Sequence, residues 1–121
     1  MRTIFRAALA VLLALSTVLG LGAAATADPL PCDAGELCLW SEPNFGGELI
    51  VLTLSDTGVE ECVPLSEDIG VRSFINRLSM PTTVYQDQEC STDGEFDTYP
   101  GSGTFVPSAP FTVRAVQIWT L

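Results

Sequence analysis

Residues Leu37–Gly47, Leu-Cys-Leu-Trp-Ser-Glu-Pro-Asn-Phe-Gly-Gly, constrain the fold more than any other stretch. A short apolar strand ends at Trp40 and meets Ser41-Glu42-Pro43-Asn44. Proline presets φ, and asparagine tolerates left-handed geometry, so this cluster reads as a turn. Gly46 and Gly47 then let the chain fold back beneath an aromatic without steric cost. A second apolar run, Leu49–Leu54, follows at once. The pattern predicts a β-hairpin whose corner is stapled by Trp40 and Phe45.

The first residues read as a leader. Arg2 and Arg6 precede an apolar run over Ala7–Leu21, and Ala25-Thr26-Ala27 has the small-x-small form of a signal-peptidase site. The run is shorter than the roughly 20 residues that a membrane span needs. Residues 1–27 are therefore expected to be a signal peptide, leaving one exported domain of 94 residues, Asp28–Leu121. A domain of that size buries a modest fraction of its surface and favours covalent staples. Cys32, Cys38, Cys62 and Cys90 supply an even count, with no Cys-x-x-Cys pair and no histidine. Two disulfides are expected rather than zinc, with the pairing open among three connectivities. A local Cys32–Cys38 bridge is one option.

Removing the leader leaves three arginines against 15 acidic residues, a net charge of −12 with no lysine. Such a surface repels phosphate backbones and anionic lipid, so nucleic acid and membrane are not expected partners. The same composition argues against an enzyme. Histidine, the commonest general base, and lysine, the usual amine nucleophile, are both absent. No Gly-rich phosphate loop opens a helix, and no nucleophile elbow is present.

Along the chain, Glu36–Trp40, a buried strand over Glu48–Thr53, and an edge strand near Glu60–Leu65 that Pro64 limits are expected. Val71–Leu78 resumes the strand pattern between two layers, and Met80-Pro81 divides the halves. Thr82–Tyr85 is the next strand, Gln86–Pro110 reads as one long irregular region, and Phe111–Leu121 as a long closing strand. The halves echo each other. Trp40 and Tyr85 are 45 residues apart, with Phe45 and Cys90 each five positions later, and Val71-Arg72-Ser73-Phe74 returns 42 residues on as Val113-Arg114-Ala115-Val116. Two offsets in the same order indicate two copies of one four-strand unit, about 36–80 and 81–121. No sustained helical period appears after the leader, so the class is all-β.

Cys38–Gly47, Ser73-Phe74-Ile75-Asn76-Arg77 and the doubled layout resemble the βγ-crystallin superfamily. The cysteines and leader are most similar to the secreted streptomycete-type metalloproteinase inhibitors within it. In the second copy, Tyr85-Gln-Asp-Gln-Glu-Cys lacks the Phe-Gly-Gly of the first. The resemblance implies a β-sandwich of two Greek-key motifs, with Trp40, Phe45, Gly46, Gly47, Ser73 and Tyr85 as its structural residues. It also implies a monomeric inhibitor whose partner is an extracellular protease, gripped by a rigid exposed loop. Val63, between a cysteine and a proline, and Phe96, Tyr99 and Pro100, in an acidic Gly-rich stretch, are the candidate contacts. Thermolysin-type metalloproteases favour an apolar residue just after the cut, which Val63, Phe96 or Tyr99 can supply. No cofactor is expected. The alternative is a non-inhibitory extracellular binding or stress protein with one weak calcium site at Asp68 and Ser73, where Arg72 opposes a cation.

Overall fold

A computed structural model describes residues 30–121, and the expected leader lies outside them. Eight strands form, and no helix occurs among the described residues. They are β1 (Glu36–Glu42), β2 (Gly46–Thr53), β3 (Cys62–Pro64), β4 (Ser73–Asn76), β5 (Thr82–Tyr85), β6 (Phe96–Tyr99), β7 (Thr104–Val106) and β8 (Ala115–Ile118). All pairings are antiparallel. Sheet A has the order β2-β1-β4-β7 and sheet B the order β3-β8-β5-β6. Exchanging β1–β4 for β5–β8 converts one order into the other. Each sheet therefore takes three strands from one half and its third-numbered strand from the other.

The period-2 alternation of strands explains the layers. Leu37, Leu39 and Phe74 point inward from sheet A, and Val84, Val116 and Ile118 point inward from sheet B. Together with Leu65, Val71, Leu78 and Val113 they make one core between the sheets. Burying such side chains contributes about 1.5–3 kcal/mol each and holds the two sheets together. A second, smaller cluster covers the outer face of sheet A, where Cys38, Trp40 and Ile75 pack with Cys32 and the partly buried Phe45.

The corner at Pro43–Phe45 forms as the turn residues dictate, although β1 runs two residues past Trp40. Asn44 and Phe45 both adopt φ of 58°, and Gly47 adopts 78°. A Cβ on Gly47 would collide with Ser41 Oγ, which accepts a hydrogen bond from Glu48 N at 2.8 Å, so only glycine closes this corner. Trp40 and Phe45 meet edge to face with centroids 5.2 Å apart. Such a pair contributes about 0.5–1.5 kcal/mol beyond its buried area.

Four expectations are corrected. The run Glu48–Thr53 is not a buried strand: β2 is an edge, and the outward Leu49 and Val51 are 37% and 38% exposed. The region Gln86–Pro110 is not one irregular loop, because it contains β6 and β7. Both are short edge strands, and neither has the apolar alternation that marks a strand in sequence. The closing strand is limited to Ala115–Ile118, with Val113 making an isolated bridge to Val71. Correspondingly, β4 is four residues long rather than the whole of Val71–Leu78. The third strand lies at the edge of sheet B as Pro64 requires, since proline has no N–H to donate to a second neighbour.

The pairing of the cysteines is Cys32–Cys38 and Cys62–Cys90, with none left free. The first closes a local loop at the entry to β1. The second joins β3 to the corner between β5 and β6, and so ties the two halves together.

Candidate functional site

The outer face of sheet B brings together three of the residues singled out in the sequence, Cys62, Tyr85 and Phe96. Register places Pro64, Ala115, Tyr85 and Phe96 in one row across β3, β8, β5 and β6, and Cys62, Gln117, Thr83 and Thr98 in the next. Side chains alternate along a strand, so both rows point away from the core. Phe96 is 49% exposed and stacks on the buried Tyr85 at a centroid distance of 6.2 Å. Beside it, the hydroxyls of Thr83 and Thr98 lie 2.6 Å apart, and Trp119 Nε1 donates to Thr83 Oγ1 at 2.7 Å. Tyr85 donates its hydroxyl to Gln117 Oε1 at 3.3 Å. A large apolar side chain thus stands in solvent on a platform with little freedom.

The corner Gln86–Glu95 borders this platform and is rigid for local reasons. Gln86 N donates to Glu95 O at 2.9 Å, which closes its base. The Asp87 carboxylate accepts from Glu89 N at 2.9 Å and from Ser91 N at 3.1 Å, an arrangement that aspartate favours in turns. Cys90 sits at φ 58° and reaches across to Cys62 through the disulfide. Gln88 Nε2 adds a bond to Leu65 O at 2.8 Å. Glu60, Glu61, Glu89, Asp93, Glu95 and Asp97 are all exposed, so the surroundings of Phe96 are acidic.

The four candidate protease contacts divide by direction. Phe96 and Pro100 are exposed. Val63 points inward from β3 and packs half-buried against the core. Tyr99 also turns inward, with its ring 5.0 Å from Phe74 at an interplanar angle of 77°. Its phenol is pushed up to about 12, first by burial and then by the neighbouring Asp97 carboxylate. Pro100 opens a turn held from below: Ser102 N donates to Leu78 O at 2.6 Å and Gly103 N to Asn76 O at 2.8 Å. Gly101 lies so close to the Leu78–Met80 backbone that a Cβ has no room.

The two calcium candidates are placed differently. Asp68 is exposed in its loop. Ser73 is buried, where its hydroxyl donates to Glu42 O at 2.6 Å and accepts from Phe45 N at 3.0 Å. Ser73 therefore clips the first hairpin corner in place. Among the described residues, the cluster of sulfur and carboxylate ligands close enough to share an ion is Cys32, Glu36 and Cys38, and both of its sulfurs are in the disulfide.

Sequence reasoning passes over Asp87, whose spacing before Glu89 and Ser91 is a legible Asx-turn signal. It also passes over the tie between Cys62 and Cys90, for which no local signal exists. These elements make an exposed apolar side chain, an acidic surround and a cross-linked corner, with no nucleophile–base pair beside them. No curated protein and no solved structure matches the chain. The model of peptidase inhibitor family I36 matches residues 25–97, a span that includes both disulfides, Val63 and Phe96 and stops before Tyr99. The chain belongs to peptidase inhibitor family I36 and is an inhibitor of peptidases rather than an enzyme.

Proposed function

We propose that the protein is secreted after cleavage following Ala27 and inhibits extracellular metalloproteases as a monomer, using the outer face of sheet B. The observation that carries this reading is the Cys62–Cys90 disulfide, which fixes the exposed edge β3 to the corner that leads into Phe96. A protease docking there meets a surface that loses little freedom on binding, and pre-ordering of this kind favours affinity. Phe96 supplies the apolar side chain for a specificity pocket. A cut between Glu95 and Phe96 would leave both new ends held, one by the bond from Gln86 N to Glu95 O and the other by the pairing of Phe96 with Tyr85. The cleaved chain would then stay in place instead of leaving.

Behind this lies the proposal that the two halves are crystallin-type Greek-key motifs that exchange their third strands. The matching strand orders of the two sheets and the paired offsets in sequence support it.

Titration of a thermolysin-like protease with the purified, disulfide-intact protein tests the assignment. Stoichiometric inhibition is expected, and Phe96→Ala should weaken it on the order of 30-fold, the effect of removing a hot-spot aromatic worth about 2 kcal/mol. Full inhibition by the Phe96→Ala protein would move the site elsewhere. An absence of inhibition by the unaltered protein would remove the metalloprotease reading.

A further inference from the structure

We propose that the concave site lined by Gly35, Arg77, Ser79 and Ser102 binds the C-terminal carboxylate of a peptide. The pocket has a volume of about 350 Å³, with Ala34 and Leu78 completing its lining. That volume lies at the lower end of small-ligand sites, enough for a terminal residue or two.

Both walls are preformed. One is the loop closed by the Cys32–Cys38 disulfide, where Gly35 N donates to Arg77 O and Arg77 N to Glu36 O, each at 2.9 Å. The other is the Pro100–Gly103 turn, pinned to Leu78 and Asn76. Gly35 leaves open space where a side chain would stand, since no other group lies within 4 Å of the place a Cβ would take. Arg77 is oriented by donation from Nη1 to Cys32 O at 2.8 Å. A carbonyl, unlike a carboxylate, does not neutralise the cation. The guanidinium fork suits a planar, two-oxygen anion. Ser79 and Ser102, which also line the site, carry hydroxyl groups able to donate.

The second half places a different side chain at the position of Arg77. Trp119 N donates to Pro81 O as Arg77 N donates to Glu36 O, so Trp119 is the counterpart of Arg77. The indole lies over sheet B and donates to Thr83, whereas on the Arg77 side a cavity and a cation remain. The choice of ligand follows from charge. A chain with 15 acidic residues disfavours polyanions and favours a singly charged ligand, such as one carboxylate on an otherwise neutral or basic chain. A peptide C-terminus meets that condition. This site does not depend on the inhibitory reading, since its test needs no protease.

The test is an amide-resolved NMR titration of the disulfide-intact protein with N-acetyl-Ala-Ala as the free acid and as the C-terminal amide. The acid is expected to shift the amides of Gly35, Arg77, Ser79 and Ser102 saturably, with a dissociation constant on the order of 1 mM. The amide form should bind about tenfold more weakly, having lost its charge-assisted bonds. Arg77→Gln should show a similar loss. Ser102→Asp puts a negative charge on the opposite wall without touching Arg77, and aspartate tolerates the φ of 65° found there. It should abolish binding with the spectrum otherwise intact, which separates lost affinity from lost fold. Equal binding of acid and amide, or unchanged affinity in Arg77→Gln, would overturn the proposal. Acetate or inorganic phosphate binding as tightly as the peptide acid would also overturn it, showing a general anion hook.

Discussion

In sheet A the hairpin corner Pro43–Phe45 is held by Ser73 from below and by rings from above, whereas in sheet B the corner Gln86–Glu95 is held by a disulfide and by Asp87. The two are counterparts. Trp40 pairs with Leu49 and Ser73 as Tyr85 pairs with Phe96 and Ala115, and Ile75 pairs with Phe105 as Gln117 pairs with Cys62. Phe45 follows Trp40 by the same five residues that separate Cys90 from Tyr85, and both adopt φ of 58°. The aromatic contact between Phe45 and Phe105, with centroids 6.3 Å apart, therefore stands where the other half places the Cys90–Cys62 bond. One backbone solution is thus secured by packing and a buried hydroxyl on one side and by covalent closure on the other. The covalent side is the one that carries the exposed Phe96.

If the disulfide dominates the second corner, removing it should have the largest effect. Replacing Cys62 and Cys90 by alanine opens a loop spanning 28 residues and should cost about 3.5 kcal/mol in the chain-entropy model. Replacing Cys32 and Cys38, only six apart, should cost about 2 kcal/mol by the same model. Urea unfolding midpoints of the two double variants measure both. Equal losses would mean that the second corner is held by Asp87 and Gln88 rather than by its cross-link.

The serine clip comes next in size. Ser73→Ala leaves Glu42 O and Phe45 N without their buried partner and should destabilise by about 2 kcal/mol. The mirror change, Ala115→Ser, places a hydroxyl in a fully buried site on the side that is held covalently, and should destabilise by about 1 kcal/mol or more. A stabilising Ala115→Ser would show that the second corner retains an unused seat for the clip, and would weaken the contrast.

The cores differ too, and that difference responds to pH. Tyr99 pairs with Thr82 in β5 as Leu52 pairs with Leu37 in β1, so one half carries a phenol where the other carries an aliphatic chain. Its folded-state pKa of about 12 lies above the ordinary value of 10, because burial and Asp97 disfavour the phenolate. The resulting stability is fully present below pH 10 and is lost as pH rises from 10 to about 12, where the unfolded chain ionises first. Tyr99→Phe should remove that alkaline component of the urea midpoint. An unchanged pH profile in Tyr99→Phe would place the sensitivity in another group.

Much of this contrast is readable in the residues, and what is not has physical causes. The first corner is legible because Pro43, Asn44 and Gly47 are required by its dihedrals and Trp40 by its covering ring. The doubling is visible where paired strands keep their residue types, as in Val71–Phe74 and Val113–Val116. It is faint between β3 and β7, where Cys62 answers to Phe105 and the match is limited to two residues, Val63-Pro64 against Val106-Pro107. Edge position is illegible for β2, since an apolar run reads alike whether a second layer covers it or not. The strands β6 and β7 escape a sequence reading because Phe-Asp-Thr-Tyr and Thr-Phe-Val are too short to show a period. Of the candidate contacts, Phe96 and Tyr99 differ by three positions in a strand. They therefore face opposite ways, a distinction that cannot be drawn while the segment is taken for a loop. The disulfide pairing depends on the exchange of third strands, which no local pattern encodes.

The smallest expected change in stability gives the most direct test of the correspondence. If Phe45 and Phe105 occupy the places of Cys90 and Cys62, then Phe45→Cys with Phe105→Cys should close a third disulfide without rearranging the backbone. Cross-linking residues 60 apart removes about 4 kcal/mol of unfolded-state freedom, while truncating two partly exposed rings costs about 3 kcal/mol. The net shift should therefore stay within about 1 kcal/mol. The informative readout is the bond itself: peptide mapping without reductant should find the two introduced thiols joined to each other beside the two native pairs. Introduced thiols at positions 45 and 105 that remain free while Cys62–Cys90 is intact would show that the two corners share strand register but not the approach of their side chains. In that event the aromatic contact is a local solution of the first half, with no counterpart in the covalent one.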